Sequence, residues 1–319
     1  MEQSQIDEKY MRRCLQLAQC GRQGAAPNPM VGAVVVCDGR IIGEGYHQRC
    51  GGPHAEVNAI RSVEDPELLR RSTIYVSLEP CAHYGKTPPC AKLIIEKGIP
   101  TVVVGCRDPF PKVDGRGIDL LREAGIEVRV GILEKECLWL NRRFITFHTL
   151  HRPYITLKWA QSRDGLLDRR RESAEEPPAR LSSPVTQTLV HRLRALNKAI
   201  LVGRRTWELD RPGLNVRLWT GEDPQRIVLS SSPVCCDSVA TDITSLLTLL
   251  YEQGVQTLLV EGGAQTLQSF IDQGMWDEAR IETSPQALGD GIPAPHITGK
   301  KGEKLLIGGH IIAYIYKNS

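Results

Sequence analysis

The sequence predicts an α/β protein built as two domains, and three observations carry that prediction. Aliphatic, β-branched runs alternate with stretches of helical periodicity along the chain, the pattern of sheets with helical crossovers. The alternation is broken once, by a connector rich in arginine and aromatic residues over 138–151, and then begins again. At 319 residues the chain has room for two cores of ordinary size. The expected domains are therefore 1–150 and 151–319.

In the first domain, Met11, Leu15, Leu17 and Ala18 recur at helical spacing within 8–20, and Gly21 stops that helix. The loop Ala25-Ala26-Pro27-Asn28-Pro29 feeds a strand over 31–36, and Asp38-Gly39 is a hairpin turn into 40–42. A short helix is expected over 55–61, then strand 73–78, which delivers Glu79-Pro80-Cys81 at its carboxyl end, where open α/β sheets place their sites. Helix 91–97, strand 101–105, helix 117–124 and strand 126–130 complete the layer. In the second domain, strand 154–159 leads to Ser162-Arg163-Asp164-Gly165. Arg169-Arg170-Arg171, followed by Glu172, Glu175, Glu176, Pro177 and Pro178, reads as an exposed, mobile loop. Ser183-Pro184 caps a helix to about 196. Strands 199–203, 226–229 and 256–260 follow, with helices over 245–253 and 265–273. No internal repeat or low-complexity segment is present.

Composition narrows the partners. With 41% hydrophobic and 24% charged residues the chain is an ordinary soluble one. A net charge of +3 supplies no global field for nucleic acid, and no apolar run is long enough to cross a bilayer. The start Met1-Glu2-Gln3-Ser4 carries no apolar signal segment, so the ten cysteines point to a reducing, cytoplasmic compartment and not to a disulfide framework.

The chemistry of the first domain gathers around His54-Ala55-Glu56, Pro80-Cys81 and Pro88-Pro89-Cys90. One imidazole and two thiolates suit Zn²⁺, and three protein ligands leave the fourth tetrahedral position open, as catalytic sites do. Glu56 then stands beside the metal as a proton carrier. Cys14, Cys20, Cys37, Cys50, Cys106, Cys137, Cys235 and Cys236 lack ligand spacing, and recruiting Cys50 would close the site.

The order His54-x-Glu56, then Pro80-Cys81 and Cys90, resembles the cytidine-deaminase-like zinc enzymes, but eight residues separate the two cysteines in place of two. The run Cys81-Ala82-His83-Tyr84-Gly85-Lys86-Thr87-Pro88-Pro89-Cys90 resembles specifically the deaminase of riboflavin biosynthesis, and so do Pro27-Asn28-Pro29 and Gly45-Tyr46-His47. That resemblance implies a cytidine-deaminase-like α/β/α fold, one Zn²⁺ on His54, Cys81 and Cys90, and Glu56 as the proton shuttle. It further implies that Asn28, His47, His83, Lys86 and Asp108 hold an aminopyrimidine ribosyl phosphate. Phe110 departs from the family, where an asparagine commonly follows Asp-Pro.

The second domain has no G-x-G-x-x-G fingerprint. Instead Val202-Gly203-Arg204-Arg205-Thr206-Trp207 resembles a dihydrofolate-reductase pattern, a glycine-tipped strand turning into a helix with backbone N–H groups free for phosphate. In the bifunctional riboflavin enzymes a reductase of dihydrofolate-reductase-like α/β fold follows the deaminase. The resemblance implies NADPH bound by Gln161, Thr206, Asp210 and the turn Gly262, Gly263, Ala264, Gln265, Thr266 and Leu267. It assigns the substrate to Arg194, Leu214, Arg217 and Glu261, with the two arginines suited to bidentate phosphate recognition, and Lys158 reads equally as an electrostatic helper or a strand residue. Pro178 and Arg180 depart from the family run there, and the end after Thr283 looks abbreviated.

The leading expectation is a bifunctional enzyme: zinc-dependent deamination of a diaminopyrimidine ribosyl phosphate, then NADPH-dependent reduction of its ribosyl group. Its partners are small pyrimidine ribosyl phosphates, without nucleic acid or membrane, and the resemblance implies a homo-oligomer, a dimer or a tetramer. Two alternatives stand beside it: the same deaminase with a non-catalytic second domain, and a nucleic-acid-editing deaminase. The charge balance and the long Cys81–Cys90 gap oppose the latter.

Overall fold

The structure, a computed structural model, describes residues 2–82, 88–108, 115–232, 234–236 and 238–318. It divides into two compact units, Met1–Leu150 and His151–Ser319. In the first, the elements run α1 (Gln3–Cys20), β1 (Gly32–Cys37), β2 (Arg40–Tyr46), α2 (Ala55–Arg61), β3 (Thr73–Leu78), α3 (Cys90–Glu96), β4 (Thr101–Cys106), α4 (Arg116–Glu123), β5 (Glu127–Val130), α5 (Glu134–Leu140) and α6 (Arg142–Leu150). The sheet order is β2-β1-β3-β4-β5, with β1 antiparallel to both neighbours and β3, β4 and β5 parallel.

Strand periodicity divides the core. Ala33 and Val35 of β1 face a cluster with Ala55, Ala59, Ile94 and Leu121, on the side covered by α2, α3 and α4. Val34 and Val36 face the other way, onto Tyr10, Met11, Cys14 and Cys137 from α1 and α5. The result is an α/β/α sandwich. Gly45 lets α2 lie directly on β2: a Cβ there would stand 2.3 Å from the backbone nitrogen of Ala59. That close approach sets the depth at which α2 presents the residues of its first turn.

The second unit comprises β6 (Tyr154–Gln161), β7 (Leu166–Asp168), α7 (Pro184–Ala195), β8 (Ala199–Gly203), α8 (Arg204–Asp210), β9 (Gln225–Leu229), β10 (Val239–Ala240), α9 (Ile243–Glu252), β11 (Thr257–Val260), α10 (Ala264–Asp272), β12 (Glu278–Thr283), β13 (Ile292–Pro293), β14 (Lys300–Ile307) and β15 (His310–Tyr316). Eight strands pair in the order β10-β9-β8-β11-β6-β12-β15-β14. All are parallel through β12, and β15 and β14 close the far edge as an antiparallel hairpin. One sheet face packs Leu157, Leu201 and Leu258 against α9 and α10, and the other packs Ile200, Val202 and Leu259 against Leu193 of α7. Ser183 caps α7 with a reciprocal capping box, and Pro184 takes the first helical position.

Three expectations need correction. Residues 138–151 are not a connector: α5 and α6 occupy most of them, and Cys137, Leu140 and Phe147 form their buried face. The arginine-rich segment at 169–178 is irregular but not simply solvated, because Arg171 is only 7% exposed and bonds to Asp168, Asp210 and the Glu176 carbonyl. The sequence predicts no element beyond residue 273, yet the residues after Thr283 build β14 and β15, a hairpin whose charged, mostly exposed β14 hid its strand period.

Candidate zinc centre and reductase crevice

The candidate metal ligands come from three different elements. His54 is the N-cap of α2, Cys81 follows the end of β3, and Cys90 opens α3. Their ligand atoms lie within 4.8 Å of one another, and no other such group occurs among the described residues. His54 Nδ1 is 3.6 Å from Cys81 Sγ and 3.3 Å from Cys90 Sγ. Bond lengths of about 2.3 Å to sulfur and about 2.0 Å to nitrogen around a tetrahedral ion put such neighbours roughly 3.6 Å apart. The donor set therefore fits Zn²⁺ in type and spacing.

The two sulfurs and the neighbouring carboxylate perturb one another's titration. A hydrogen bond from the Cys90 thiol, with further help from His54 and the Cys90 backbone N–H, pulls the Cys81 thiol down to about 4. Cys90 in turn is pushed well up, first by that same bond and then by burial. Metal ligation requires both sulfurs as thiolates, so binding of a divalent ion would release their protons. Glu56 is 3% exposed, on the first turn of α2, within hydrogen-bond reach of Cys90. Burial, reinforced by Cys81, pushes its carboxyl up to about 7, the range of a group that exchanges protons near neutrality.

Around this centre, His47 Nε2 lies 3.1 Å from Asn28 Nδ2, and His47 Nδ1 lies 3.1 Å from the Pro53 carbonyl. Asn28 can only donate through Nδ2, so Nε2 accepts and Nδ1 carries the proton. Burial lowers the His47 pKa, which keeps this neutral tautomer. The His47 ring also meets that of His54 edge-on at 5.5 Å. Asp108 is buried, at 7% exposure. His83 and Lys86 lie outside the described residues.

Sequence reasoning gave no role to Glu79, which immediately precedes Pro80-Cys81. Its buried carboxylate accepts backbone N–H groups from Asp108 (3.3 Å), Gly115 (3.0 Å), Gly117 (2.9 Å) and Ile118 (3.3 Å). It thereby ties the start of α4 and the end of β4 to the strand that delivers Cys81. An acidic residue directly before Pro-Cys was the available signal.

In the second unit the residues of interest sit at the carboxyl ends of the adjacent parallel strands β8 and β11. Gly203 caps α8 and Gly263 caps α10. A Cβ on Gly203 would collide with Thr266 Oγ1 at 2.2 Å, and one on Gly263 would approach Thr206 Oγ1 to 3.1 Å. Two helix starts and two hydroxyls therefore converge, with Ala264, Gln265 and Leu267 on the first turns of α10, which suits the phosphates of a dinucleotide. Asp210, at the end of α8, is already paired with Arg171. Gln161 ends β6 and accepts the indole N–H of Trp159.

The substrate residues expected here are partly engaged with one another. Arg194 forks onto Glu261, with Nε–Oε1 at 2.9 Å and Nη2–Oε2 at 2.8 Å, and its Nη1 reaches the Asn215 carbonyl. Lys158 Nζ stands 3.9 Å from Glu261. Burial pushes the Glu261 carboxyl up, but Lys158 and Arg194 outweigh it and hold the group below its ordinary range. Lys158 itself is lowered by burial, against Glu261, and the two-bond fork makes Arg194 the closer partner of that carboxylate. Leu214 is buried in the core at φ +49°. Arg217 remains exposed, steadied by Asn215 Oδ1 at 2.8 Å.

Comparison with known proteins matches both halves. Residues 4–106 match the profile of the cytidine and deoxycytidylate deaminase zinc-binding region, and residues 153–307 match that of the RibD C-terminal domain. Fold and site thus define a class, a zinc-dependent deaminase carried on one chain with a reductase. The riboflavin biosynthesis protein RibD of Aquifex aeolicus is 39% identical over 90% of this chain and 89% of its own. That of Escherichia coli is 36% identical over 89% of each. Among solved structures, RibD of Acinetobacter baumannii superposes with TM-score 0.88 at 30% identity, covering 99% of this chain and 100% of that one. A diaminohydroxyphosphoribosylaminopyrimidine deaminase/5-amino-6-(5-phosphoribosylamino)uracil reductase of Thermotoga maritima does so with TM-score 0.87 at 34% identity, covering 99% of each. The chain belongs to the RibD family: it is a bifunctional enzyme of riboflavin biosynthesis with deaminase and reductase activities, served by zinc and NADPH.

Proposed function

We propose that the first unit hydrolyses the exocyclic amine of 2,5-diamino-6-(5-phosphoribosylamino)pyrimidin-4-one, releasing ammonia. The second unit then reduces the ribosyl group of the resulting aminouracil to ribityl, consuming one NADPH and one proton. The observation that carries this reading is the convergence of His54, Cys81 and Cys90 beside a buried Glu56. When bound, zinc lowers the pKa of a water in its open position to about 7 and so supplies hydroxide near neutrality. Glu56 carries one proton of the attacking water to the ring nitrogen. It then carries the second, from the hydroxyl newly on the ring carbon, to the amine, which leaves as ammonia as the C=O forms. Asn28, with Nδ2 committed to His47, turns Oδ1 toward the N–H groups of the aminopyrimidine. His47 holds that orientation, and Asp108, His83 and Lys86 complete the grip on base and ribosyl phosphate.

In the second unit Thr206, Asp210, Gln161 and the turn Gly262 to Leu267 hold NADPH, whose nicotinamide carries the hydride. Arg217, exposed and not paired with a carboxylate among the described contacts, takes the substrate phosphate. Arg194 and Glu261 orient the ribosyl hydroxyls as a preformed pair, and Leu214 contributes to the substrate side. Following NADPH absorbance with each intermediate supplied separately tests the reading. Oxidation with the deaminated intermediate only is expected. Deamination without any NADPH consumption would leave the second unit a non-catalytic module. The family resemblance also supports a cytoplasmic homo-oligomer, which light scattering of the purified chain checks. Among the described residues no helix is long and apolar enough to cross a membrane.

A further inference from the structure

The loop that carries Asn28 is fastened from a distant part of the chain. Asn141 lies between α5 and α6, beyond residue 106 where the deaminase profile ends, and its side chain is 2% exposed. Its Oδ1 accepts the Met30 N–H at 2.8 Å, and its Nδ2 donates to the Met30 carbonyl at 2.9 Å. The amide thus engages both polar groups of one residue, as a neighbouring strand would. The backbone of Asn141 is itself fixed, donating to the Cys137 carbonyl of α5 and accepting from Ile145 of α6. The clamp is therefore anchored in two helices and closes on a single loop residue.

We infer that Asn141 is a positioning residue of the deaminase, acting through Asn28. Only Pro29 separates the clamped Met30 from Asn28, and proline fixes its own φ, so the link between them is stiff. Asn28 is preceded by Pro27, and its N–H donates to the Ala25 carbonyl at 2.9 Å. Immediately past the clamp, the Val31 carbonyl accepts the His47 N–H at 2.9 Å, while Asn28 Nδ2 reaches the His47 ring at 3.1 Å. Asn28 and His47 are thus joined by two routes, and both depend on where Met30 lies. No other side chain of this length offers one donor and one acceptor at the two required points. Aspartate keeps the acceptor for the Met30 N–H but sets an oxygen against the Met30 carbonyl, and alanine removes both bonds.

This inference rests on the reading of Asn28 as a substrate contact, and the test separates the two. Steady-state deamination of the diaminopyrimidine ribosyl phosphate is measured for full-length, zinc-loaded Asn28→Ala, Asn141→Ala, Asn141→Asp and the double Asn28→Ala/Asn141→Ala protein. Zinc content and NADPH oxidation by the second unit of each protein report that the chain is intact. Asn28→Ala is expected to raise KM about tenfold, and either Asn141 variant about fivefold, with kcat within about twofold. If Asn141 acts through Asn28, the double variant has the KM of Asn28→Ala alone, because coupled sites do not add. Multiplying KM effects in the double variant would overturn the inference. So would wild-type KM in both Asn141 variants while Asn28→Ala is impaired. Wild-type KM in Asn28→Ala would overturn the contact reading and this inference together.

Discussion

In the first unit three ligand atoms and a buried carboxylate converge from three elements, an arrangement that suits a cation. In the second unit the charged groups near the crevice, Lys158, Arg194 and Glu261, are already paired with one another. The first arrangement gathers donors suited to a metal; the second pairs its charges internally and offers shape, helix starts and the exposed Arg217. Zinc chemistry needs a convergent donor set with a proton carrier beside it, whereas hydride transfer places the chemistry in the cofactor and asks the protein mainly to orient. Substitutions at the metal-site groups themselves should accordingly act on rate, and those at the paired charges of the second unit on stability or KM.

The sharpest break of that contrast is Glu56→Gln. The amide keeps the size and loses the proton-carrying function, so deamination kcat should fall about 10³-fold. Zinc content should stay at wild type, because Glu56 is not among the three ligand groups. NADPH oxidation with the deaminated intermediate should be unchanged. Full deamination by a zinc-loaded Glu56→Gln chain would remove the proton-shuttle role.

Next in size is Glu261→Gln, which strips the carboxylate from Arg194 and Lys158, both of them largely buried. Leaving buried cations without their counter-ion costs about 3 kcal/mol or more. The unfolding transition of the second unit should drop accordingly at pH 7, in urea titrations followed by tryptophan fluorescence. The sign with pH is fixed by the lowered carboxyl of Glu261. Its contribution is present above the ordinary carboxylate pKa of about 4.3 and is lost as pH falls through the lower folded value. The gap between wild type and Glu261→Gln should therefore narrow below about pH 4. An equal gap at pH 7 and pH 3 would show that packing, not charge, carries the effect.

How much of this was legible follows from sequence distance. His54, Glu56, Cys81 and Cys90 announce themselves because ligand chemistry and turn geometry are local, and the strand that ends at Leu78 is plain in its β-branched run. Glu79 was visible as a residue but not as an acceptor, since its donors lie up to 39 positions away on α4. Asn141 reaches Met30 across 111 positions, so no local pattern could reveal it. Arg194 suits phosphate by its chemistry alone, but its fork onto Glu261 was hidden because that residue stands 67 positions on, just past the end of a different strand. The three arginines at 169–171, surrounded by glutamates and prolines, have the composition of a solvated loop. Burial of the third depends on Asp210, 39 positions later.

That pair sets the smallest and most discriminating prediction. Arg171 is 7% exposed and bonds Asp168 Oδ2 through Nε at 2.7 Å while its Nη2 holds Asp210. Asp210 is the more exposed partner, with 29% of its side chain accessible, so solvent screens the pair and the bond is worth about 1 kcal/mol. Arg171→Ala would free the end of α8 and raise KM for NADPH about fivefold, leaving kcat near wild type. Deamination should not change, since Arg171 and Asp210 both belong to the second unit. If Arg171→Ala lowers kcat for NADPH oxidation at unchanged KM, Asp210 does not serve cofactor binding, and the second unit depends on charge in its chemical step as the first does.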